Sequence, residues 1–112
     1  MTRTATIVED LLLGEHDDQP FGFGSSLRPG EALVEGSVQV TCRTYRGTDA
    51  APQAMLDGAW QLDGSQVLQR IVGRTAGCVY LLECAVVTSL GRRLSAVGLV
   101  RVVDATALRG AP

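Results

Sequence analysis

The chain has 112 residues, 12 acidic and 10 basic, for a formal net charge of -2, and hydrophobic residues make up 46% of it. That length suits one domain, and the apolar content excludes a disordered chain. Near-balanced charge without a basic stripe argues against a nucleic-acid grip, and no uncharged run approaches the roughly 20 residues of a membrane-spanning helix.

The start, MTRTATIVEDLLLGEHDD, is interrupted by Glu9 and Asp10 and does not read as a secretory signal, so synthesis in a cytoplasm is expected. Ile7, Val8, Leu11 and Leu12 stand at i, i+1, i+4 and i+5, the spacing of a short helical stripe, with Leu13 beside them. Gly14 to Pro20 then reads as a polar breaker. Residues 1–18 are therefore expected to be an N-terminal arm, extended or helical, with its linker. It would either dock on a partner or cap its own domain.

From Phe21 the period changes to two. Leu27 to Glu31 carries a Pro-Gly turn signal and feeds a short extended piece, Ala32 to Val34. Ser37 to Tyr45 alternates, with Val38, Val40 and Cys42 on one side and Gln39, Thr41 and Arg43 on the other. Gly47 and Asp49 mark the next turn. Asp63-Gly64-Ser65 between Ala59–Leu62 and Gln66–Val72 predicts a tight hairpin. Cys78 to Thr88 is apolar almost throughout and predicts a central strand. Leu94 to Val103 returns with apolar groups on both faces, Val97, Leu99 and Val103 on the outer one. This outer face would either cover another subunit or belong to an ordinary doubly covered strand. Some six or seven short strands with regular turns predict an all-β, antiparallel immunoglobulin-like β-sandwich over residues 19–105, with a partial barrel as the other arrangement. Residues 106–112 read as a loose tail.

Candidates for chemistry have ordinary explanations. His16 lies in a polar run with no nucleophile beside it, and GEHDD lacks the spaced ligands and turn glycine of a calcium loop. Cys42, Cys78 and Cys84 form no CxxC pair; Cys84 reads as core filling, because a reactive thiol needs a positive neighbour. GFG and GRTAG are turns rather than phosphate loops. Arg92 and Arg93 read as a solvated hairpin tip. No catalytic constellation, metal site or cofactor site is expected. Phe21 and Phe23 point to the core, and Trp60 either caps the end of the domain or anchors a partner.

Three segments carry a further pattern: FGFGSSLRPGEALVEGSVQV, AMLDGAWQLDGSQVLQRIVG and GCVYLLECAVVTSLGRRLSAVGLVRV. Together they resemble the small β-sandwich virion proteins of tailed bacteriophages known as fibre-tail adaptor or neck-associated proteins. Gly77, Tyr80, Leu82, Thr88, Ser89, Gly91 and Arg92 match that family's G-x-x-Y-x-L strand and its T-S and G-R turn. Phe21 and Phe23 stand where the family often has Trp, and Gly73-Arg74 where it has Gly-Gly. The resemblance implies a structural virion protein, made in the bacterial cytoplasm and held in several symmetry-related copies by portal, neck, tail or fibre proteins. On this reading the partner-binding residues are Ile7, Val8, Leu11, Leu12, Leu13, Trp60, Val97 and Leu99, with no catalytic residue, no cofactor, no membrane and no specific nucleic acid. The other reading, from a different class, is a free-standing module that binds carbohydrate or peptide through Gly47 to Gln53 and Gly73 to Gly77.

Overall fold

The computed structural model describes residues 8–105. Its strands are β1 (Val8–Leu12), β2 (His16–Gly22), β3 (Gln39–Arg46), β4 (Gln61–Asp63), β5 (Gln66–Val72), β6 (Val79–Val87) and β7 (Arg93–Val103). They form a four-stranded sheet in the order β1-β7-β6-β3 and a three-stranded sheet in the order β2-β5-β4. The chain is all-β in class, and the two sheets share one core.

The long apolar segment is a central strand, as its composition requires: β6 lies between β3 and β7. Its inward residues Tyr80, Leu82, Cys84 and Val86 are buried, while Val79, Leu81, Ala85 and Val87 are half-buried on the outer face. Val100 and Val102 of β7 and Cys42 of β3 complete this side of the core; Phe21, Val67 and Ile71 meet them from the other sheet. Phe23 is also 2% exposed, in line with the core reading of both phenylalanines.

The Asp-Gly hairpin forms where the sequence placed it. Asp63 pairs with Gln66 around Gly64-Ser65. Of the two turn residues Gly64 alone has positive φ, at 59°, so a glycine-first turn joins β4 to β5. Gln69 is buried mid-strand in β5, where its Nε2 donates to the carbonyls of Gly58 and Arg70 at 3.0 and 2.9 Å. On the free edge of β3, the Cys42 N–H donates to Gln53 Oε1 at 3.2 Å, which occupies a backbone donor that an edge strand would otherwise present.

The beginning of the chain differs from expectation. Val8 to Leu12 is not a turn of helix but strand β1, paired in parallel with Leu99 to Val103. The four-stranded sheet is therefore mixed rather than wholly antiparallel. The polar run His16 to Pro20, expected to be a linker, belongs to β2 and pairs antiparallel with β5. A boundary after Asp18 would thus cut a strand. Pro20 is tolerated because β2 is an edge and needs no second ladder.

The passage from β1 to β2 crosses between the sheets at a tight junction. Gly14 adopts φ 85° and its N–H donates to Gly73 O at 2.8 Å, while the Gly73 N–H donates to Glu15 O at 3.0 Å. A Cβ on Gly73 would stand 2.6 Å from the Leu12 carbonyl oxygen, so this crossing requires glycine.

Candidate functional site

Strand alternation gathers apolar groups from distant parts of the chain on the outer face of the four-stranded sheet. Val8 stands opposite Leu99, Leu99 opposite Leu81, and Leu81 opposite Arg43. The next row holds Val97, Glu83 and Thr41. Val8 is 43% exposed, and Val97, Leu99 and Leu81 are half-buried beside their cross-strand neighbours. Arg101 and Asp10 close one side with two parallel hydrogen bonds of 3.0 and 3.1 Å. Glu83 and Arg43 occupy diagonal positions, and neither enters an ion pair among the described residues.

The expected partner-binding residues divide accordingly. Val97, Leu99 and Val8 come together on this face. Leu12 is half-buried beside Val103, and Leu13 is 46% exposed at the strand end. Leu11 is corrected: it points inward, is 2% exposed and packs in the core, because alternation sends it to the side opposite Val8. Trp60 is half-buried against the core, just before β4. Ile7 lies outside the described residues.

The chemical candidates are placed without a shared centre. His16 projects from β2, its Nε2 3.5 Å from Asp57 Oδ2. Cys42, Cys78 and Cys84 are free and buried. Burial pushes the thiols of Cys42 and Cys84 up to about 12, with the charges of Asp49 and Glu83 respectively adding to the rise. Such thiols are poor nucleophiles at neutral pH. No group of three or more His, Cys, Asp or Glu among the described residues could hold a metal ion. No described helix is long and apolar enough to cross a membrane.

Two features escaped the sequence reading. Arg92 is no solvated tip: its guanidinium donates to Glu31 from Nη2 at 2.5 Å and Nε at 2.9 Å, and to the Ser26 carbonyl at 2.7 Å. Thr88 Oγ1 donates to the same carboxylate. Glu31 is inaccessible to solvent at its side chain, and the Arg92 hydrogen bonds, against the cost of burial, hold its carboxyl down at about 2. This knot locks the Pro-Gly turn to the β6–β7 turn. Its signal was a charge pair 61 residues apart, invisible to local periodicity.

The second feature is a cleft of about 370 Å³ between β1 and β2, with Leu11, Ile71 and Val100 below and Glu9, Asp10, Asp17 and Asp18 around it. Its acids come from two strands that sequence spacing does not connect.

The loops proposed for ligand binding do meet. Asp49 lies beside Thr75 and accepts a hydrogen bond from Tyr80 OH at 2.6 Å; the Tyr80 bond is the main reason its carboxyl is held below the usual range. Arg74 Nε donates to Ala54 O at 2.7 Å. No protein-family model matches the chain, and a comparison with curated proteins finds no match.

Proposed function

We propose that this chain is a structural protein of a tailed-bacteriophage particle, an immunoglobulin-like sandwich that joins neck or tail components or anchors fibres through protein contacts. The fold part of this reading is supported by strand order. With seven strands lettered A to G, β2-β5-β4 corresponds to B-E-D and β7-β6-β3 to G-F-C, the two sheet cores of immunoglobulin domains. The first strand departs from the constant-type arrangement by pairing with the last.

The functional part rests on one observation, the apolar outer face of the mixed sheet. Val8, Leu81, Val97 and Leu99 form a contiguous apolar area on a sheet whose other face already fills the core. Such areas mark contact surfaces. The resemblance of the Tyr80 strand and its Gly91-Arg92 turn to phage adaptor proteins supplies the setting. In the particle, function would reside in repeated burial of this face rather than in a reaction.

The test is incorporation. Leu99→Asp places a charge on the outer face without touching the core, so the variant should fold with an unchanged circular dichroism spectrum and be depleted from purified particles about tenfold or more. Normal incorporation would contradict the use of this face.

One observation favours the second reading, a carbohydrate- or peptide-binding module: residues 47–53 and 73–77 are brought together by Asp49 beside Thr75, with Arg74 bonded to Ala54 just past the first loop. Glycan binding by the isolated monomer, lost in Arg74→Ala, would support it over the virion reading.

A further inference from the structure

We infer that the outer face of the mixed sheet binds a second copy of this chain, face to face about a two-fold axis, with Glu83 of each copy meeting Arg43 of the other. This rests on the proposed role of that face in assembly and names its partner. Charge arrangement points to self-association. Glu83 stands in the apolar area, between Val97 and Thr41, and Arg43 stands one diagonal step away, opposite Leu81. Neither is in an ion pair among the described residues. An axis lying between the two sheets, across the line from Glu83 to Arg43, exchanges the two positions and makes two reciprocal pairs at once, as an isologous contact demands. An unrelated partner would need its own matching cation and anion at that spacing.

Size is compatible. Strands of 5, 8, 9 and 11 residues, at about 3.3 Å per residue and about 4.8 Å apart, offer roughly 500 Å² of sheet, so two copies would bury about 1,000 Å² together, the threshold of specific interfaces. Aligned sheets pack about 10 Å apart, a distance that paired Arg and Glu side chains can bridge.

Sedimentation equilibrium of the full chain at micromolar concentration tests the idea. The wild-type chain should be a dimer; Glu83→Arg should weaken association about tenfold or more, and Arg43→Glu should do the same. The double variant, with both charges exchanged, should return to near wild-type affinity. A wild-type chain that stays monomeric, or a double variant as weak as the single ones, would overturn the inference. Should Glu83→Arg fail to fold, Arg43→Glu at an exposed position carries the test: an unweakened dimer would overturn it. Failure here is separable from failure of the virion role. A monomer that still enters particles through Leu99 removes only the second copy, whereas absence from particles removes the assembly role and leaves the dimer to be judged by sedimentation.

Discussion

Glu31 shows how one buried carboxylate can carry a connection between two turns. Its acid constant in the folded chain, about 2, lies below the ordinary 4.5, so the ionised group stabilises the fold at neutral pH, and that contribution fades as the pH falls from about 4.5 towards about 2. In Glu31→Gln the acid limb of the stability curve should flatten in this window, while stability at pH 7 falls because Arg92 keeps its charge without its partner; urea titrations across pH measure both. The thiols of Cys42 and Cys84 act in the opposite direction, stabilising below about 9 and losing that contribution as the pH rises towards about 12. Native protein should therefore react with a thiol reagent at pH 8 far more slowly than unfolded protein, with no fast phase from either residue. Gly47 is a third sensitive position: it holds φ 92°, and a Cβ there would lie 2.8 Å from Cys78 Sγ and 3.2 Å from Cys78 Cα. Gly47→Ala should cost about 1–3 kcal/mol by urea unfolding.

At the scale of elements, legibility followed locality. The Asp63-Gly64 hairpin and the central apolar strand could be read directly, since turn chemistry and continuous burial leave local marks. Strands β1 and β2 could not. In β1 the spacing of Val8, Leu11 and Leu12 fits two turns of helix as well as it fits an edge strand, and what decides is the ladder to residues 99–103, distant in sequence. In β2 only Phe21 is fully buried, so an edge strand carrying His16, Asp17 and Asp18 looks like a linker. The candidate face was half legible. Val97 and Leu99 followed from alternation in β7, but Leu81, Glu83 and Arg43 join them only through register. If β1 is part of the domain, Leu11→Ala should lower stability by about 2–4 kcal/mol, while Leu13→Ala, at a 46% exposed position, should change it by less than about 0.5 kcal/mol; equal small effects would restore the arm.

For the whole molecule, two sheets close one core and leave the mixed sheet with a second apolar side. A domain that acted alone would gain only the cross-strand contacts among Val8, Leu81, Val97 and Leu99, whereas a component of a larger assembly would also bury their outer surface. The most direct measurement of the proposed virion role is quantitative mass spectrometry of particles purified from the source of this chain, counting the chain against the most abundant shell protein after a high-salt wash. A fixed small-integer stoichiometry that survives the wash is expected. Absence of the chain from the particles would contradict it and turn attention to the loops around Asp49 and Arg74.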